Sequence, residues 1–227
     1  MKKLLCACLA SLLVLSGCGS KTEESEETKD KVVENNKAEQ EVEKSEVVDY
    51  TSDSIFEGVE PESIDNFIFD TDGKSAFINA YRGDKEVVVL PDTYRDMNIT
   101  KGTYTFEANP KTKAVKLGKY IEKAEGMFGA SSGIEFIEFN KGLKVIGEGA
   151  CNNCENLKKV IIPDTVESLE YLCFGGCTSL KSVEIPASVK KIDFAFFACS
   201  EDLEIIGEAG SAAEKYAKDN NFKFTVK

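Results

Sequence analysis

The chain has 227 residues, of which 28 are basic and 40 acidic, and it contains no histidine. A net charge of −12 is repelled by phosphate backbones, so nucleic acid is not expected as a partner. Without histidine there can be no Ser-His-Asp or Cys-His nucleophile, no imidazole metal ligand and no imidazole base, which counts heavily against an enzyme.

The chain opens with Lys2 and Lys3 ahead of an apolar run over residues 4–15, too short to span a bilayer and typical of a secretory signal. The run ends in Leu15-Ser16-Gly17-Cys18, which resembles the bacterial lipobox, where the cysteine thiol receives a diacylglyceryl group. Residues 1–17 then read as a signal peptide and Cys18 as a lipidated N-terminus, with Cys6 and Cys8 in the discarded part. Two or three acyl chains make a durable membrane anchor. Removing Lys2 and Lys3 leaves 26 basic and 40 acidic residues, a net charge of −14. Residues 18–54 read as the lipidated cysteine and an acidic, disordered tether, with 11 acidic and 5 basic residues between Gly19 and Tyr50. As a flexible coil it would hold the following domain on the order of 30–36 Å from the anchor. Residues 55–227 are one domain's worth of chain.

That domain begins with two alternating runs, residues 67–71 and 75–81, around Asp72-Gly73, which predicts a β-hairpin capping the N-terminal end. Repetition follows. Pro163 and Pro186 are 23 residues apart, as are Val166 and Val189, Leu169 and Ile192, and Leu180 and Leu203. One period earlier stand Asn140, Leu143, Ile146, Cys154 and Leu157; another period back come Leu117, Tyr120, Phe128 and Ile134, and a looser copy starts at Pro91. Periods of this size belong to solenoids, whose coils bury their apolar faces only by stacking. The expectation is a β-rich solenoid of about five coils.

Each coil is predicted to hold a strand near residues 114–117, 136–139, 159–162 and 182–185, with Ile137, Phe139, Val160, Ile162, Val183 and Ile185 facing inward. Proline ends the strand at 163 and 186. The chain closes with a helix that has Ser211 as N-cap and Glu214 at the capping-box position, stopped by Asn220-Asn221, and then a last strand over 222–226.

Five cysteines lie in the repeats. Cys151, Cys154, Cys173 and Cys177 superficially have a four-thiolate zinc layout. The repeat register offers a plainer account: Cys154, Cys177 and Cys199 share one column, where a buried thiol packs as a small hydrophobe, while stacking also brings column cysteines within disulfide range. Asp70-Thr71-Asp72-Gly73 lacks the later acids of an EF-hand and reads as a turn. No metal or cofactor is expected.

Residues 180–192, with Leu180, Val183, Ile185, Pro186, Val189 and Ile192 behind Cys177, resemble the BspA-like bacterial leucine-rich repeat. Residues 77–91 and 207–218 are similar to that family's opening hairpin and C-terminal cap, and the likeness spans about 66–227. With the lipobox, this reads as a lipid-anchored leucine-rich repeat protein on the extracytoplasmic face of a cell membrane, non-catalytic and expected to be a monomer. Adhesion to a host or neighbouring-cell protein would be its task. An envelope scaffold, or a glycan hydrolase using two of the many carboxylates, are the alternatives. The expected binding surface is the outward strand face: Val87, Val89, Lys116, Phe136, Glu138, Lys159, Ile161, Ser182 and Glu184, together with Ala114. Phe136, Ile161 and the two valines are larger and more apolar than a solvated wall requires. Against that, β-sheet faces often carry such residues for strand propensity alone.

Overall fold

Proline after an inward aliphatic residue stops a parallel strand after three residues, and the recurring Leu or Ile near the far turn returns the chain to the core. The result, in a computed structural model that describes residues 48–227, is a solenoid with two parallel walls. The signal peptide, Cys18 and the tether as far as residue 47 lie outside the described residues.

The first wall is built from β3 (Val87–Val89), β6 (Ala114–Lys116), β8 (Phe136–Glu138) and β10 (Lys159–Ile161), each paired in register with the next. Beyond β10 the wall goes on as a separate parallel sheet of β12 (Ser182–Glu184), β14 (Glu204–Gly207) and the terminal β15 (Lys223–Val226). Six rungs followed by β15 exceed the five coils expected. The sixth, β14, sits where a residue is lost before Ala195 and one gained before Leu203, which hides its register.

The second wall was expected only as a turn. Residues such as Leu169 and Ile192 in fact form two-residue parallel strands there: β9 (Val145–Ile146), β11 (Ser168–Leu169) and β13 (Lys191–Ile192), preceded by β7 (Lys123–Glu125) and β5 (Met97–Thr103). At its start β1 (Phe67–Thr71) and β2 (Ala76–Tyr81) form the predicted hairpin, with β2 parallel to β5, while β4 (Thr93–Tyr94) folds back on β5. Gly73 takes φ +84°, and both Lys74 and Ser75 donate their N–H to Asp72 Oδ1 at 2.8 Å. Asp72 therefore spends its carboxylate on its own turn.

Between the walls runs one continuous core. Leu157, Leu180 and Leu203 are all buried, as are the six inward strand residues named above. A second column is aromatic: Tyr81 meets Phe106 at 5.1 Å, Phe106 meets Phe128 at 5.5 Å, and Phe174 meets Phe196 at 5.3 Å. Cys151 fills the place between Phe128 and Phe174. The helix α1 (Ala212–Asn220) closes the C-terminal end, with Ser211 Oγ accepting from Glu214 N at 3.3 Å. Glu214 Oε2 in turn accepts from Gly210 N at 2.6 Å, and Asn221 ends the helix at φ +60°.

Candidate binding surface

On the first wall, residues alternate between core and exterior, so each rung presents two outward side chains. Along the chain these are Val87 and Val89, Ala114 and Lys116, Phe136 and Glu138, Lys159 and Ile161, then Ser182 and Glu184. The first three rungs are apolar in the leading position; from Lys159 onward that position is polar. The wall thus has two chemically different halves.

The apolar half is not open. Phe136, expected to be an exposed contact, is 0 % exposed because Phe56 lies across it with ring centroids 5.5 Å apart. Phe56, Ala114 and Phe136 form a small cluster separate from the main core, flanked by Ile55, Val87 and Val89. Phe56 ends a single 3-10 turn, Asp53–Phe56, which Ser52 caps through its side chain. Lys116 Nζ lies 5.8 Å from the Phe56 ring and Lys159 Nζ 5.1 Å from the Phe136 ring. Lys159 also meets Asp53 Oδ1 at 2.5 Å and donates to Thr51 O at 3.1 Å. Tyr50 donates its hydroxyl to Glu86 at 2.6 Å, which pushes its own ionisation up. Residues 50–54, placed by composition in the tether, are therefore seated on the wall. Their polarity hid one short anchor.

The later half is open. Ile161 is 39 % exposed, and Ser182 and Glu184 are exposed. Glu138 pairs with Lys116 at 2.9 Å, and Glu184 with Lys227. Beside Ile161, where β3, β6, β8 and β10 turn away, lies a hollow of about 890 Å³. Val89, Leu117, Phe139 and Pro163 supply apolar lining, and Asp92, Lys119, Lys141 and Asp164 charged lining. Of the predicted contacts, Val89, Lys116, Glu138 and Ile161 come together at this hollow. Phe136 does not line it.

The thiols do something else. Cys154 Sγ donates to Phe128 O at 3.0 Å, Cys177 Sγ to Cys151 O at 3.2 Å, and Cys199 Sγ to Phe174 O at 2.9 Å. Ser131, one period earlier, makes the same bond to Phe106 O. The column is a row of small donors closing carbonyls of the coil before, and all five repeat cysteines are free. Burial pushes the Cys151, Cys173 and Cys177 thiols well up and Cys199 to about 11, so they stay protonated at neutral pH. Among the described residues no three His, Cys, Asp or Glu side chains converge as metal ligands.

One exposed surface was not anticipated. Beyond the ends of β11 and β13, Tyr171 stacks on Phe194 at 6.1 Å and Phe194 on Phe197 at 5.0 Å, all three substantially exposed. Tyr171 and Phe194 occupy the column that holds exposed Glu148 one coil earlier. The change from Glu148 to Tyr171 and Phe194 in one column is the sequence sign of this surface.

Parallel rungs, an aliphatic ladder and a proline stop define a leucine-rich repeat, and residues 122–207 match the BspA type leucine-rich repeat region in six copies. Residues 122–207 are thus a BspA-type leucine-rich repeat region, a non-catalytic repeat scaffold of a fold generally used for protein interaction. The crystal structure of a leucine-rich repeat protein of T. pallidum is similar, with a TM-score of 0.61 and 24 % identity over 65 % of this chain and 71 % of that one. More loosely similar is a leucine-rich cell surface protein of Faecalibacterium prausnitzii, with a TM-score of 0.39 and 18 % identity over 65 % of this chain and 54 % of that one. The pneumococcal vaccine antigen PcpA has a TM-score of 0.37 and 16 % identity, over 73 % and 49 %. No curated protein sequence matches the chain.

Proposed function

We propose that the protein is a lipid-anchored bacterial surface protein that binds a protein ligand through the open half of its first wall, as an adhesin does. Ile161 carries the reading. It is a large apolar side chain 39 % exposed on a rigid strand, beside a hollow with charged lining. Interface anchors have this form: a central apolar contact ringed by polar groups. Strand-borne residues are held in place by the ladder, so little ordering entropy opposes binding.

The test is capture of cell-surface proteins by the soluble repeat domain. Replacing Ile161 with Asp puts a charge into the apolar centre and is expected to cut capture at least about tenfold, as loss of a hot-spot side chain does. The residue is half outside the fold, so the circular dichroism spectrum should not change. Equal capture by wild type and variant removes the wall from consideration.

Anchoring rests on the lipobox-like Leu15-Ser16-Gly17-Cys18 and the acidic stretch after it. Cys18→Ser is expected to move the protein from the detergent phase to the aqueous phase in a detergent partition of expressing cells, and to abolish labelling by a tagged fatty acid. Retention of the label by the variant would refute lipidation at Cys18.

A further inference from the structure

The segment over the apolar half of the wall is attached in an unusual way. The hydrogen bonds of its backbone N–H groups from Ser52 to Val59 are all internal: Ser52 to Asp49 O, Ile55 to Ser52 O, Glu57 to Ser54 O and Val59 to Phe56 O. The first backbone bond to a wall strand comes at Glu62, whose N–H donates to Val89 O at 2.8 Å. Before that point no backbone N–H of the segment reaches the wall, and it is held by the Phe56 ring and Ile55 on the apolar patch, by Asp53 and the Thr51 carbonyl on the Lys159 ammonium, and by the Tyr50 phenol on Glu86. The patch beneath is part of a regular sheet face, and the main core of the solenoid does not include it.

We propose that this patch is a peptide-recognition site, filled here by the protein's own residues 50–56 in place of a partner segment. The chemistry of the occupant defines the partner. It carries an aromatic side chain to lie on Phe136 between Val87, Val89 and Ala114, and a carboxylate three positions earlier to meet Lys159. The Lys116 ammonium also lies 5.8 Å from the aromatic ring. A partner with this acid-x-x-aromatic pattern takes the site only by displacing the strap, which is covalently tethered and competes at high effective concentration. The intact chain therefore binds such a segment weakly, and loosening the strap strengthens binding by the reciprocal of the fraction of molecules in which the site is free. The inference rests on the first wall being a protein-binding surface, but it uses the first three rungs rather than Ile161.

The probe is a fluorescein-labelled synthetic peptide of residues 48–58, titrated into the full chain in detergent and followed by anisotropy. Phe56→Ala is expected to bind the peptide at least about tenfold more tightly than wild type. Adding Lys159→Glu to that variant, or changing the peptide's phenylalanine to alanine, should reverse the gain. If Phe56→Ala keeps its thermal transition yet binds the peptide no better than wild type, the segment is a permanent part of the fold and the proposal fails. If Phe56→Ala does not fold, Asp53→Lys, which breaks the Lys159 contact and leaves the apolar cluster intact, decides in the same way: a gain upholds the site and no gain overturns it. Capture lost with Ile161→Asp alongside a failed peptide titration would remove only the strap, and leave the wall as the binding surface.

Discussion

Glu62 shows what a single buried charge does to this fold. Its side chain is 3 % exposed, yet it pairs with Lys85 at 2.9 Å and accepts from Asn66 Nδ2 at 2.7 Å and Ser63 N at 3.0 Å. Burial alone would push its carboxyl up; the Lys85, Asn66 and Ser63 contacts outweigh burial and hold it below the ordinary glutamate value. The folded state therefore gives up this proton more readily than the unfolded chain does. The resulting stabilisation is fully present above the unfolded pKa of about 4.3, and is lost as pH falls through the lower folded value. Urea midpoints measured from pH 6 down to pH 3 should fall more steeply for wild type than for Glu62→Gln, whose amide does not titrate. Glu62→Gln should also be the less stable protein at pH 6, because it leaves a buried site without the charge that matches Lys85. Parallel pH profiles for the two proteins would show that Glu62 contributes nothing to acid sensitivity.

The elements of the solenoid were legible where they repeat and obscure where they are short. The strands of the first wall follow from alternation and from proline, and each is one residue shorter than expected, because the last residue before the turn has left the ladder. The two-residue strands β9, β11 and β13 leave no alternation to read; only inward residues such as Ile146, Leu169 and Ile192 mark them. Turn geometry repeats without repeating chemistry. Ala108, Ala130, Asn153, Gly176 and Ala198 hold successive positions at positive φ, between +53° and +70°. Only the glycine and the asparagine suit that conformation, so the alanines are paid for by stacking. The predicted binding residues shared a similar fate. Their outward placement was readable from period 2, whereas cover by Phe56 was not, since one aromatic residue at the edge of an acidic stretch has no periodic partner. Ile161 carries the same outward signal as Phe136, and the difference between them lies in what crosses above.

At the scale of the whole molecule, each coil touches chiefly the coils before and after it, so stability is close to a sum of coil terms and interface terms. Pro163 and Pro186 hold equivalent places in the repeat, each following the inward residue after a three-residue parallel strand, β10 and β12. Deleting residues 163–185 removes one full period and joins Ile162 to Pro186, so that the coil ending there meets the coil that begins with Val189 in the same register. The aromatic column tolerates this, because Phe174 leaves and Cys151 comes to face Phe196. The shortened protein is expected to keep its strand-rich circular dichroism spectrum and a single urea transition. Its m-value should drop by about one-eighth, in proportion to the surface removed. A deletion displaced by ten residues, 173–195, also removes 23 residues but is cut outside the proline column. Because Ala195 lies past the point where the repeat loses a residue, that junction brings Phe196 to follow Leu172 one place out of register, and it is expected to destabilise much more. Equal stability for the two deletions would mean that the interior does not depend on column register, contrary to a core assembled from nearest-neighbour stacking.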